Sequence, residues 1–306
     1  MPTVGLALGG GGARGLVHLG VIKVLEEENI PIDIICGTSM GAIIGAIYAQ
    51  QGNIEEAIKK VKAYLDSEKH GNLELPIIGN DEQEDSTPLS KLARTLAKRV
   101  YAISLGARRP FFKSHVLDEA VNFLVKEGKI EETKIPFAAV ATDLNSGKTL
   151  IFDKGDIRKA VKRSSLVPGF LPPEKEKDLF IADGGITQLI PVESTIKLGA
   201  EMVIAISASP SSLPQLKDPA MIDIIERCQL IMGLELSRLQ AEKADILIKP
   251  HLPYVPWSDF SEYNKFIKIG MDSAKEHLPQ IKKLLRRRES WIFRALSFIK
   301  PDKSPR

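Results

Sequence analysis

Cysteine is scarce in this chain. Cys36 and Cys228 are the only two among 306 residues, too few for a disulfide framework, and no CxxC or His/Cys spacing of a zinc site occurs. A reducing compartment fits that usage, and Cys36, inside an apolar run, reads as a small buried hydrophobe. Long apolar runs are also missing: none reaches the roughly 20 residues that a membrane-spanning helix needs. The opening Met-Pro-Thr-Val-Gly lacks the basic stretch that begins a secretory signal, so a cytoplasmic protein is expected. There is no internal repeat and no Pro/Gly/Ser linker before the C-terminal tail. An apolar fraction of 43% and a charged fraction of 26% are ordinary for a globular protein with a sizeable core.

The net charge of +3 hides an asymmetry. Residues 281–306 hold nine Lys/Arg against Glu289 and Asp302, a net +7, which leaves −4 for the rest of the chain. The chain is therefore divided into a domain over 1–280 and a basic amphipathic tail over 281–306. In the tail, Trp291, Ile292, Phe293, Leu296 and Phe298-Ile299 stand among Arg286-Arg287-Arg288, Arg294 and Lys300. That pattern suits a basic helix lying at a membrane interface. It equally suits a terminal helix that docks its aromatic face on the body or on a partner subunit.

Along the chain, Val4–Leu8 reads as a buried strand leading through Gly9-Gly10-Gly11-Gly12-Ala13-Arg14-Gly15 into a helix to about Glu28. A second strand is expected from Ile32 to Cys36, then helices over 40–50 and from Ile54 to about Lys69. Strand, helix, strand, helix at this spacing implies right-handed crossovers and a mainly parallel sheet. Residues 70–88 are polar, with an acidic cluster over 81–85, and read as a surface insertion. Helical patterns follow over 89–105 and 116–126, and the span 70–113 is placed where a lid could sit. Phe137–Asp143 and Lys148–Phe152 flank Asn145-Ser146-Gly147 and read as a hairpin. Phe180–Ala182, Met202–Ile206 and Ala244–Ile248 read as strands, with long helices over 219–241 and 261–285.

The densest chemical signal is Gly37-Thr38-Ser39-Met40-Gly41, set between an apolar strand and an Ala/Ile-rich helix. This is the setting of a G-x-S-x-G nucleophile elbow: a sharp strand-to-helix turn, glycines where a Cβ would clash, and a serine at a helix N-terminus. The same stretch also reads as a glycine-flanked turn with Ser39 as an ordinary N-cap. The glycine run Gly10-Gly11-Gly12-Ala13-Arg14-Gly15 admits three readings. It matches the G-x-G-x-x-G of a dinucleotide fold, although Asp33 begins the second strand instead of ending it as such a site requires. It also suits a nest of amides around an oxyanion, or a turn with close helix–sheet packing. A serine elbow on the neighbouring crossover favours the oxyanion reading, because acyl transfer needs such donors nearby.

A nucleophilic serine needs a base. None of the five histidines, His18, His70, His115, His251 and His277, ends a strand, and His18 reads as a packed or capping residue. Asp183-Gly184-Gly185 ends a short apolar strand and is the better candidate, though Asp-Gly is also a common turn.

Taken together, the glycine loop, the serine elbow and Asp183-Gly184-Gly185 resemble the patatin-like phospholipase family, above all its short bacterial members related to the neuropathy-target-esterase branch. The resemblance covers roughly residues 4–206. It implies a three-layer α/β/α fold with a mainly parallel central sheet. It also implies hydrolysis of lipid acyl esters of phospholipase A or lysophospholipase type by a Ser-Asp dyad, with no metal or cofactor. Carried over, Ser39 is the nucleophile between the elbow glycines Gly37 and Gly41. Asp183 is the base, followed by the turn glycines Gly184 and Gly185. Gly10, Gly11 and Gly12 form the oxyanion hole, supported by Arg14 and Gly15. The implied partner is a lipid ester, with peripheral contact at the inner membrane face through the basic tail and no nucleic acid. A catalytically quiet lipid-binding or regulatory protein could keep the same pocket. One segment departs from the family: Arg163-Ser164-Ser165-Leu166-Val167-Pro168-Gly169 carries Arg163 and Leu166 where small residues are usual, and is expected to line the site.

Overall fold

The structure, a computed structural model, describes residues 2–67 and 115–289 apart from 218 and 220. The expected insertion over 70–88, the helix over 89–105, a lid over 70–113 and the aromatic part of the tail lie outside the described residues. The helices are numbered here as α1 (Val17–Glu27), α2 (Met40–Gln51), α3 (Ile54–Leu65), α4 (His115–Leu124), α5 (Ile157–Ser164), α6 (Val192–Lys197), α7 (Met221–Ala241) and α8 (Tyr263–Glu289). The strands are β1 (Val4–Leu8), β2 (Ile34–Thr38), β3 (Phe137–Asp143), β4 (Thr149–Phe152), β5 (Glu174–Glu176), β6 (Leu179–Asp183), β7 (Met202–Ile206) and β8 (Ile246–Ile248).

All eight strands form one sheet. β3, β2, β1, β7 and β8 run parallel, while β4, β5 and β6 pair antiparallel at one side. Side chains alternate across the sheet, as a pleated strand requires. Leu6 and Leu8, Ile35, Met202, Ile204 and Ile206 enter the larger core beneath α1, α2, α3 and α8. Ala7, Ile34, Val203 and Ala205 enter a smaller core with Val192 of α6, flanked by Ala241 at the end of α7. Helices therefore cover both faces, and the architecture is the expected three-layer α/β/α. α2 is buried from Gly41 to Ala49, because its Ala/Ile/Gly sequence is apolar all round and suits a helix enclosed by sheet and neighbours. α3 shows the opposite pattern, with Ile54, Ala57, Ile58, Val61 and Tyr64 inward, charges outward, and Asn53 capping the Glu56 amide.

One detail of register decides where the chemistry sits. Val140 pairs with Thr38 on one edge of β3 and with Ile151 on the other. Thr142 pairs with Ala182 and with Thr149. So β4 occupies one edge of β3, while β2 and β6 share the opposite edge and meet end to end. Thr38 is opposite Val140, and Asp183 is opposite the next residue, Ala141.

β2 begins two residues later than expected and runs through Gly37 and Thr38 into the elbow, because β3 pairs with it that far. α8 continues unbroken from Tyr263 to Glu289, through Pro279 and across position 281. The expected start of the tail therefore falls within this helix.

Candidate active site

Ser39 stands between β2 and α2 with φ 53° and ψ −121°, a conformation that non-glycine residues rarely hold. Its hydroxyl makes no capping bond to α2, so the ordinary N-cap reading of this serine does not hold. The elbow glycines are sterically required. A Cβ on Gly37 would run into the Gly41 backbone, and one on Gly41 into the Leu8 and Gly9 carbonyls. The turn is held from two sides. The Thr38 hydroxyl donates to the Gln188 carbonyl at 2.8 Å, and the Ser39 amide donates to the Ser164 hydroxyl at 2.9 Å. The Ser164 hydroxyl in turn donates to the Val140 carbonyl at 2.6 Å.

Asp183 closes β6 one register step beyond Thr38. Its amide donates to the Leu166 carbonyl at 3.0 Å, and its Oδ1 accepts the Gly185 amide at 2.7 Å. A Cβ on Gly184 would collide with the Val140 carbonyl, which explains the small residue after the aspartate. Asp183 is 6% exposed. Burial lifts its pKa from the ordinary 3.8 to about 6, and the Gly185 amide and Ser39 hydroxyl pull in the opposite direction. The Ser39 hydroxyl is among the groups that favour the charged carboxylate. Yet Oδ2 is buried with no partner in hydrogen-bonding geometry among the described residues, which leaves it open to accept a proton. Such contacts commonly tighten only when substrate binds.

The glycine loop packs against this pair. A Cβ placed on Gly10 would stand 3.4 Å from the Ser39 Cβ. The Gly10 amide, however, donates to the Leu189 carbonyl at 2.9 Å. Of the three glycine amides expected around an oxyanion, this one already has a partner within the protein. The amides of Gly11 and Gly12 make no hydrogen bond among the described residues. Arg14 braces the loop: buried to 7% exposure, it donates from Nε to the Ala208 carbonyl at 3.1 Å and from a terminal nitrogen to the Val255 carbonyl at 2.6 Å. Gly15 lies against Met40, the residue after the serine, with no room for a Cβ. His18 is fully buried, with Nε2 2.7 Å from the Gly9 carbonyl, and burial lowers its pKa to about 4. It is a neutral strut under the loop, as its helical position suggested. His277 bonds the Ser273 carbonyl within α8. Asp33 accepts the Val4 amide at 2.7 Å and serves the sheet, far from the glycine loop.

The segment 163–169 lies against Ser39 and Asp183 through Ser164 and Leu166. Arg163 is buried and committed to Glu174 and Glu176 of β5, at 2.6 and 2.8 Å, over the Phe152 ring. The segment supports the site through Ser164 and the Leu166 carbonyl. Sequence reasoning missed Ser164 as a positioning residue; two serines in a row beside a Pro-Gly turn were the available signal. It also missed Leu189, whose Cδ1 would be 3.2 Å from a Cβ on Gly10 and 3.2 Å from one on Gly185. The region beyond Ile206, which carries no motif, supplies struts. The Trp257 carbonyl accepts the Ala13 amide at 2.6 Å, and the Trp257 ring packs edge-on against Phe170 at 4.8 Å. Among the described residues no group of three His, Cys, Asp or Glu side chains could hold a metal ion.

A strained serine elbow, a buried aspartate and a glycine loop at the ends of parallel strands define an α/β protein built like a serine acyl hydrolase. The patatin-like phospholipase family profile matches residues 6–196, and the chain belongs to that family. An uncharacterized NTE family protein of Mycobacterium tuberculosis is 32% identical over 71% of this chain and 52% of its own length. Lysophospholipase NTE1 of Coccidioides immitis is 24% identical over 92% of this chain and 18% of its own. Human patatin-like phospholipase domain-containing protein 6 is 26% identical over 67% of this chain and 13% of its own. The chain thus spans about half or less of the length of these relatives. Among solved structures, VipD from Legionella pneumophila has a TM-score of 0.49 at 15% identity, covering 92% of this chain and 67% of that one.

Proposed function

We propose that the chain is a serine hydrolase of lipid acyl esters, of phospholipase A or lysophospholipase type, working through Ser39 and Asp183 without a metal. The observation that carries this reading is the β3 register, which sets the elbow and the buried aspartate on adjacent positions of one strand edge. Asp183 Oδ2 takes the Ser39 proton as Oγ attacks the ester carbonyl. The negative charge formed on the carbonyl oxygen is met by the Gly11 and Gly12 amides and by the N-terminus of α2. The alcohol leaves with the proton held by Asp183. Water then attacks the acyl-enzyme with Asp183 again as base, and Ser39 is restored. A carboxylate near its ordinary pKa is a weak base for a serine; burial raises the Asp183 pKa to about 6 and makes it a better one. The names of the NTE1 and domain-6 relatives support lipid esters as the substrate class.

The test pairs a fluorophosphonate probe with a panel of phospholipids and lysophospholipids. Wild type should label at Ser39 and release fatty acid, in buffer with or without EDTA. Ser39→Ala and Asp183→Asn should fold and release none. A folded wild type that neither labels nor hydrolyses would return the pocket to ligand binding alone. No described helix is long and apolar enough to cross a membrane.

A further inference from the structure

α7 carries several of its apolar residues outward. Met221 is 71% exposed, Met232 63%, Ile231 47%, Ile225 46% and Ile224 38%. Positions 221, 225, 228 and 232 fall on one stripe at steps of four and three residues, with 224 and 231 beside it. Exposed Cys228 completes the stripe. A contiguous exposed apolar face of this kind marks an interaction surface.

Its position says what it meets. Near its C-terminal end α7 is tied to the loop after Asp183: Gln240 donates to the Thr187 carbonyl at 2.8 Å and accepts the Ile190 amide at 3.0 Å. Gly233 lies beside Leu189, the residue that touches Gly10 and Gly185. Beyond Ala241 the chain turns into β8, which runs parallel to β7. The opposite end of α7 therefore points toward the C-terminal edge of the parallel strands, where Ser39 sits. At 1.5 Å per residue, Met221 lies roughly 18 Å past Gly233. Ile186, in the turn after Asp183, is also exposed. The basic end of α8 is elsewhere. Arg288 bonds the Glu201 carbonyl and Asp245, which immediately precede β7 and β8, at the other end of the sheet.

We propose that the N-terminal half of α7 is a lipid-docking surface, which enters the acyl layer of a bilayer and brings the Ser39–Asp183 mouth to its substrate. The surface rests on the proposed lipid hydrolysis for its biological sense, but its binding is measured separately. The basic end of α8, at Arg288, lies at the other end of the sheet from this mouth.

The test uses full-length protein and the double variant Ile225→Glu/Met232→Glu, with Ile225→Ser/Met232→Ser as a milder partner. Three readouts are taken: co-sedimentation with vesicles of phosphatidylcholine, alone or mixed with phosphatidylglycerol; hydrolysis of soluble p-nitrophenyl butyrate; and sedimentation velocity. Wild type should bind both vesicles. The glutamate variant should lose binding by about tenfold or more and the serine variant by less, since binding scales with buried apolar area. Both should cleave the soluble ester at the wild-type rate. Vesicle binding equal to wild type in the glutamate variant overturns the proposal. So does a wild-type dimer that the variant splits, which would assign the face to a second copy of the chain. A wild type that binds vesicles but cleaves no ester removes the hydrolase reading and leaves the docking surface standing.

Discussion

Replacing Asp183 with asparagine should abolish turnover, and its stability relative to wild type should rise with pH. In the unfolded chain the carboxyl ionises near 3.8, and in the folded protein near 6 because it is buried. Between those values the folded state binds the extra proton and is favoured by it. As pH rises through about 6 that advantage is lost, and the full cost of a buried carboxylate is present at pH 8. Two pKa units correspond to about 3 kcal/mol. Linkage puts about 1 kcal/mol of this at pH 4.5 and about 3 kcal/mol at pH 8. Asparagine does not titrate, and its own packing cost is the same at every pH. Urea unfolding of wild type and Asp183→Asn at several pH values should therefore show the variant gaining about 2 kcal/mol relative to wild type from pH 4.5 to pH 8, centred below about 6. A stability difference independent of pH would refute the claim that burial holds this carboxyl high, and with it the account of how it serves as base.

The same ionisation should govern rate. kcat/KM for a soluble ester should rise with pH through about 6 and then level, because the base must lose its proton; a falling profile there would contradict its role. The inflection should survive in His18→Asn, since burial keeps that imidazole neutral above about 4. Ser164→Ala strips a hydroxyl from the Ser39 amide and the Val140 carbonyl, and should cost about 2 kcal/mol in urea unfolding. It should also lower kcat about tenfold by loosening the serine; an unchanged kcat would remove Ser164 from the positioning set. Gly41→Ala drives a Cβ into the Leu8 carbonyl and should destabilise by about 3 kcal/mol, measured by thermal or urea melting.

What could be read from the chain divides along physical lines. β1 and β7 are continuous buried runs whose limits matched, and β3 and β4 flank a turn signal that the antiparallel ladder respects. The elements missed are short or charged. α5 hides Ile157, Ala160 and Val161 among lysines and arginines, and β5 is Glu-Lys-Glu, held by Arg163 and Lys159 from α5. α6 is a six-residue helix whose inward faces include Ser194 and Thr195. Local pattern has no way to announce elements whose reason lies in a distant partner. The same limit applied at the site. Ser39, Asp183 and the brace of Arg14 sit in recognisable local motifs. The commitment of the Gly10 amide depends on Leu189, nearly 180 residues away in sequence, and Ser164 acts through a carbonyl on β3. The outward apolar face of α7 was read only as a long helix, because periodicity cannot say which side faces water.

The end-to-end meeting of β2 and β6 along a single rail has a consequence for how this protein can vary. Spacing between nucleophile and base comes in strand steps of about 3.3 Å, and a slip of one residue would turn the aspartate to the opposite face. Length changes between Gln51 and Phe137 leave that alignment untouched, since both ends of the gap are clamped by β3 and α2. A single residue added between Phe152 and Leu179 has no such freedom if it reaches β6. Length can therefore change in the first interval without moving Ser39 relative to Asp183, whereas the second tolerates change only where its loops absorb it.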